Sequence, residues 1–272
     1  MPLLALQSVQ RALRCQKKNF KGIASTYYLV VALIELRDVA VLQHTIDAIS
    51  SFISEGNFRF NDNGISLKAT DPSQVVLVNF SIAKNAFEKF KVEPTLVGVD
   101  VQELNKIIAR AMPNDRLTMD LTDNELNIKL EGDLSRSFSL PLIDVGEDEI
   151  NIPEPKFDAS IEINARILKE ALRDAALFGS SVVLKVKGTQ LFIEARGSAG
   201  TLNTIAKTQK YVSVKSTAEV VSKYSLSFLQ NIVRNAGNEE KISMQLRSDA
   251  PMRVSYKIGP ASLEFHLAHM IL

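Results

Sequence analysis

Apolar residues at Val101, Leu104, Ile107, Ile108 and Ala111 fall on one stripe with a period of about 3.6 residues, which predicts a helix over 101–112. Asp100 precedes it as an N-cap, and Pro113 is expected to end it. Helix-like patterns recur near 42–54, 165–178 and 225–236, each followed by short alternating stretches. Leu117, Met119 and Leu121, then Leu126, Ile128 and Leu130, alternate with polar residues on either side of Thr122-Asp123-Asn124-Glu125. That is the pattern of two strands joined by a turn. Phe58 and Phe60, then Ile65 and Leu67, repeat it around Asn61-Asp62-Asn63-Gly64.

The patterns are duplicated. Leu104, Ile107, Ile108 and Ala111, followed by residues 114–121, match Leu229, Ile232, Val233 and Ala236, followed by residues 239–246, with Ala111 and Ala236 lying 125 apart. Leu42, Ile46 and the stretch ending at Ala69 match Leu168, Leu172 and the stretch ending at Ala195, 126 apart. Two independent anchors with nearly one offset predict a duplicated domain, and the helix spacing of about 60 residues divides each copy again. The quarter unit is then one helix plus a small antiparallel sheet, and the class is α+β.

Between the copies, residues 142–157 gather acids and two prolines with no sustained period, so they read as a connector. Its Ile150, Ile152 and Phe157 favour an extended course over the domains. The expected organisation is a leader over 1–30, an N-terminal domain over 31–141, the connector, and a C-terminal domain over 158–272. Residues 1–30 fit a signal peptide poorly, because their longest apolar stretch runs from Tyr27 to Ile34 and straight into a patterned strand. They read as a disordered tail or as sequence upstream of the true start. Sheets of this kind have open edges that must be covered or paired. Strand Asp133 to Leu140, with Arg136, Phe138 and Leu140, and strand Gly200 to Ala206, with Leu202, Thr204 and Ala206, are the candidate edges. Pairing them head to tail is a heterologous contact, which makes a ring if it closes.

Charge changes the picture in one respect. The chain has 272 residues with a net charge of +1, but residues 1–30 hold five cations (Arg11, Arg14, Lys17, Lys18, Lys21) and no acid. The remainder, with 27 basic against 31 acidic residues, is acidic, which argues against a broad basic surface coating nucleic acid. One cysteine, Cys15, excludes an intrachain disulfide framework and fits a reducing, cytoplasmic compartment. No Gly-Lys-Ser/Thr phosphate loop is present, Gly197-Ser-Ala-Gly200 lacks the dinucleotide fingerprint, and His266 and His269 have no evident third ligand. No catalytic residues, metal or cofactor are expected.

From about Val31 to Ile271 the chain resembles the PCNA sliding-clamp family, especially its archaeal members. The resemblance rests on Phe60-Asn-Asp-Asn-Gly-Ile-Ser-Leu-Lys-Ala-Thr-Asp71-Pro72-Ser73, Leu140-Pro-Leu-Ile-Asp144, Ile152-Pro153-Glu154, Lys223-Tyr-Ser-Leu226, Asp249-Ala-Pro251-Met and Phe265-His-Leu-Ala268, in that order. It implies a closed ring of three chains, with helices lining a hole around double-stranded DNA and sheets outside. Lys106, Arg110, Lys169, Arg173 and Arg234 become the DNA-facing candidates, Lys169 by helical spacing alone and Arg110 with an intersubunit contact as the alternative. The first helix departs from many relatives in offering Gln43, His44 and Ser50. The edge strands become the subunit interface.

The resemblance also implies a groove for short peptides of the clamp loader, DNA polymerase, flap endonuclease and DNA ligase. The matching positions are Thr70, Gln74, Val75 and Leu77, then Ile150, Ile152, Pro153 and Phe157 of the connector, then Pro251, His266, Ala268 and His269. His266 stands where the family often has an aromatic residue, and His269 replaces a frequent proline. The expected function is a non-enzymatic, sequence-independent clamp, either a homotrimer or a specialised subunit of a heterotrimer with paralogous chains. A rival from another class, a duplicated α+β ligand-binding protein or enzyme, would need convergent polar residues in a cleft.

Overall fold

In the computed structural model the described residues are 32–144, 146 and 156–271. The leader, and Ile150, Ile152 and Pro153 of the connector, therefore lie outside them. Four helices, α1 (Val39–Ser50), α2 (Val101–Ile108), α3 (Ala165–Ala176) and α4 (Leu226–Val233), alternate with eighteen strands among the described residues.

The helix starts follow from their caps. Asp38, Asp100 and Asn164 each accept a backbone N–H of the first turn of α1, α2 and α3, which answers part of the unpaired donor set at a helix N-terminus. α1 consequently begins at Val39, earlier than its apolar spacing predicts. α2 ends at Ile108, short of Pro113, in a tightened turn where Arg110 and Ala111 donate to the carbonyls of Ile107 and Ile108. Pro113 thus stands beyond the helix rather than stopping it, and the apolar stripe overestimates its length because Ala111 packs on the core from this turn. α4 starts within one residue of its expected range, 225–236, but likewise ends early, at Val233.

The strands are β1 (Ala32–Leu36), β2 (Glu55–Asn61), β3 (Gly64–Thr70), β4 (Val76–Ala83), β5 (Lys89–Val92), β6 (Thr95–Asp100), β7 (Arg116–Leu121), β8 (Glu125–Glu131) and β9 (Ser135–Pro141) in the first half. The second half has β10 (Ala159–Asn164), β11 (Ser181–Lys187), β12 (Gln190–Gly197), β13 (Gly200–Lys207), β14 (Val212–Ser216), β15 (Val220–Ser225), β16 (Lys241–Leu246), β17 (Met252–Ile258) and β18 (Ala261–Leu267). They form a five-stranded sheet β5-β1-β7-β8-β9, a four-stranded sheet β13-β12-β11-β15, and a nine-stranded sheet β14-β10-β16-β17-β18-β4-β3-β2-β6. The expected quarter units do not own their sheets: β1, which pairs with β5 of the first quarter, also pairs with β7 of the second, so that β5 and β1 share one sheet with β7 to β9. That exchange ties the quarters of each half together.

The nine-stranded sheet is the five-stranded unit of the second half joined to the four-stranded unit of the first, through antiparallel pairing of β18 and β4 from Ala261↔Ile82 to Leu267↔Val76. Phe265 and Val78 oppose one another there, fully buried. Phe52 after α1 stacks on Phe228 of α4 with centroids 6.1 Å apart and meets Phe265 edge-on at 5.8 Å, adding to the area they bury. α1 packs on α2, α3 packs on α4, and all four cover inner faces of the sheets. No helix among the described residues is long and apolar enough to cross a membrane.

Candidate functional site

Three surfaces carry the candidate residues: the helix face, the outer face of the nine-stranded sheet, and the edge strands β9 and β13.

On the helix face, Lys106 is exposed and ion-pairs with Glu103 at 2.6 Å, and Arg173 pairs with Glu170 one turn away. Arg234 donates to Asp47 Oδ2 of α1 at 2.8 Å and to Ser51 Oγ at 3.0 Å. Asp47 also accepts from Asn235 at 2.9 Å. It therefore links the halves, and although burial opposes its charge, these donors hold its pKa below the ordinary value. Arg110 is exposed at the end of the α2 turn.

Lys169 differs from the other four. Its ammonium donates to the Ala236 carbonyl at 2.6 Å, and burial together with the nearby Arg173 charge lowers its pKa. The same contact in the first half is made by a neutral side chain: Gln43, 126 positions earlier, donates to the carbonyls of Ile108 at 3.1 Å and Ala111 at 3.2 Å. Gln43 and Lys169 are thus equivalent caps on the C-terminal turns of α2 and α4. Helical spacing could not show that the Lys169 charge is engaged within the chain.

On the outer face, strand register places Thr70, Leu77, His266 and Arg253 in one row across β3, β4, β18 and β17. The Phe157 ring lies over the Arg253 guanidinium at 5.0 Å. Glu264, next on the same face, takes Arg253 at 3.9 Å and His266 Nε2 at 3.0 Å. Ala268 donates to the Val75 carbonyl at 2.8 Å, which lays the tail past β18 beside Gln74 and Val75. His269 follows, and Pro251 is exposed just ahead of β17. Thr70, Val75, Leu77, Phe157, His266 and Ala268 are thereby gathered on one surface. Arg253 and Glu264 were missed by sequence reasoning, although their alternation within 252–258 and 261–267 marks them as outward-facing.

The turn beneath this surface is held by Asp71. Its Oδ1 accepts from the amides of Val75 at 2.7 Å and Val76 at 2.5 Å, and Oδ2 accepts from Ser73 N at 3.1 Å and from the Ser73 hydroxyl. Gln74 is thereby held at φ +57°. Burial of Asp71 opposes its charge, but the hydroxyl and the three amides outweigh it and depress the pKa. A depressed folded value means that this contribution to stability is complete above the unfolded pKa of about 3.9 and is lost as pH falls through the folded value. Replacing Asp71 by Ala is expected to cost about 1–3 kcal/mol and to speed hydrogen exchange at Ser73, Val75 and Val76; unchanged exchange would show that the carboxylate does not hold the turn.

β9 and β13 are edge strands of the five-stranded and four-stranded sheets. Arg136, Phe138 and Leu140 face inward on β9, as Leu202, Thr204 and Ala206 do on β13. Arg136 is committed within the chain: it donates to the Arg110 carbonyl at 2.6 Å and pairs with Asp115, a carboxylate 1% exposed that also accepts from Met112 N at 2.8 Å. Large apolar side chains stand exposed beside these edges, Met112 and Leu134 on one and Leu177 and Ile205 on the other. Gly197 and Gly200 flank the turn of the β12–β13 hairpin, where a Cβ on Gly197 would meet the Phe178 carbonyl oxygen at 1.7 Å. Among the described residues no group of three His, Cys, Asp or Glu side chains is placed to hold a metal ion.

The N-terminal domain model of proliferating cell nuclear antigen matches residues 33–148, and the C-terminal domain model matches residues 151–271. The DNA polymerase sliding clamp of Pyrococcus furiosus is 30% identical over 217 residues, covering 78% of this chain and 87% of that one. The DNA polymerase sliding clamp of Methanococcus maripaludis is 30% identical over 234 residues, covering 83% and 94%. In fold, the chain is similar to the crystal structure of PCNA from Thermococcus kodakaraensis, with a TM-score of 0.84 at 24% identity over 88% of this chain and 100% of that one. PCNA from Entamoeba histolytica gives 0.82 at 20% identity, covering 89% and 100%. With both domain models matched in order and archaeal relatives aligned over most of its length, the chain belongs to the proliferating cell nuclear antigen family.

Proposed function

We propose that the chain is a DNA polymerase sliding clamp subunit that closes with two further copies of itself into a ring around duplex DNA, without catalysis of its own. The observation that supports closure is internal. β18 and β4 already join a five-stranded unit to a four-stranded unit within the chain, and β9 and β13 are their repeat equivalents, left with free edges. Sheet registers relate Phe138 to Phe265, 127 residues apart, and Leu202 to Val78, 124 apart. Copying the internal junction onto two chains sets Phe138 opposite Leu202 and Arg136 opposite Thr204. Each seam then becomes a second nine-stranded sheet with helices on its inner face. Light scattering tests this: three copies of the 30.1 kDa chain give about 90 kDa, and a monomer at micromolar concentration would overturn self-sufficient closure.

The ring would hold DNA by phosphate contacts from its helix face, which position without reading sequence. The outer surface around Leu77, Phe157, Pro251, His266 and Ala268 would take short apolar peptides of polymerase, flap endonuclease, ligase and clamp loader. Tethering them raises their effective concentration on DNA. Leu77→Lys is expected to weaken binding of such a peptide at least tenfold, as an uncompensated charge on an apolar surface, while the 90 kDa assembly persists. Retained affinity by calorimetry would remove this surface as the peptide site.

A further inference from the structure

The outer surface around Leu77, Phe157 and His266 has a cation on its floor that packing of the sheet does not call for. Arg253 of β17 stands in one row between Gln245 of β16 and His266 of β18. The repeat-equivalent position in the first half, between Asp120 of β7 and Ser139 of β9, is held by Asn127. The same place in the duplicated sheet is therefore filled there without a charge.

Arg253 is also short of acceptors. Its side chain keeps 22% of its exposure, and its Nε is buried and donates to nothing among the described residues. Glu264 Oε2 stands 3.9 Å from Nη1, beyond hydrogen-bond reach, while Glu264 Oε1 is engaged by His266 Nε2 at 3.0 Å. The Phe157 ring, centred 5.0 Å from the guanidinium carbon, holds the group by attraction to its charge but supplies no oxygen to its N–H groups. A partly desolvated guanidinium with unanswered donors is costly. Its planar fork of donors is matched to the two oxygens of a carboxylate.

We propose that Arg253 is a specificity-determining residue of this surface, selecting partner peptides that carry an acidic side chain beside their apolar anchors, with the carboxylate received by the guanidinium. The inference rests on the reading of this surface as the peptide groove. Leu77, across His266 in the same row, would take an apolar anchor. It lies two strand spacings from Arg253, about 10 Å, so one short helical peptide reaches both. A peptide with apolar anchors alone would bury the guanidinium further and leave its donors unanswered, which is the basis of the discrimination.

Calorimetry with two series of short synthetic peptides tests this. Both series carry one Leu and two Phe within a single helical turn; a Glu scanned through the positions flanking these anchors in one series is Gln in the other. The best Glu peptide is expected to bind roughly tenfold tighter than its Gln counterpart. Arg253→Asn, which installs the side chain that the first half already tolerates at Asn127, should bring that pair to equal affinity. A preference for Glu that survives Arg253→Asn overturns the proposal. Equal affinities in the unaltered chain also overturn it, and if both are then lost in Leu77→Lys the groove itself stands. Peptides that fail to bind, or that bind and ignore Leu77→Lys, remove the groove reading and the role of Arg253 together. Circular dichroism checks that each variant remains folded.

Discussion

Phe138→Glu is expected to convert the proposed three-chain ring of about 90 kDa to the 30.1 kDa chain while leaving the fold in place. The asymmetry comes from where Phe138 stands. In the single chain it lies half-buried on the free edge strand β9, so a carboxylate there can still reach water. Its repeat equivalent Phe265 is fully buried against Val78 where β18 and β4 have already joined. Seam formation would give Phe138 the same surroundings opposite Leu202, and an unpaired carboxylate there costs several kcal/mol at each seam. Loss of one seam opens a ring, so the effect is all or none. Leu202→Lys should dissociate the assembly in the same way, and mixing the two variants should restore only the seam at which the introduced carboxylate meets the introduced ammonium. Light scattering with circular dichroism checks the set; a folded Phe138→Glu variant that remains at 90 kDa would remove β9 from the interface.

That prediction draws on something only partly legible in the sequence. Alternation in 116–131 and the 125- and 126-residue offsets were sufficient for the strands, the turns and the duplication, because a period of two and a repeated spacing are properties of the chain itself. The two edge strands were legible too, since few charges interrupt them. The β18·β4 junction was not, because strand partners more than 170 residues apart leave no local trace. Nor could sequence distinguish a cation that faces solvent from one that closes a helix end. Lys169 and Arg173 occupy one helix at adjacent turns, yet the first is committed to the Ala236 carbonyl and the second to an exposed carboxylate. Arg136 is a similar case: its position on the edge suggested a contact across the seam, while its guanidinium is engaged by Asp115 and the Arg110 carbonyl. Such commitments are set by where loops bring carbonyls and acids, which is tertiary information.

Those commitments set the terms for the second large effect, on DNA. Among the described residues Lys106 and Arg173 are each paired only with an exposed neighbour one turn away, and exposed pairs of this kind are worth little, so phosphate can displace the acid at small cost. Arg234 is held by Asp47 and Ser51 and gives up more to reach a phosphate. Combining Lys106→Ala, Arg173→Ala and Arg234→Gln removes three cations per chain, and in the proposed ring the loss would be tripled. Affinity for duplex DNA at about 150 mM salt is expected to fall roughly a hundredfold, and the dependence on salt should flatten by about 0.9 in slope for every phosphate contact removed. Asp47→Asn should act in the opposite direction, because it takes the charge from Arg234's internal partner and frees the guanidinium for phosphate. Opposite signs at two sites on one helix face are a demanding outcome, measurable by fluorescence anisotropy across a salt series with the mass of the assembly held constant. A slope unchanged by the triple substitution would mean that the helices do not face the DNA.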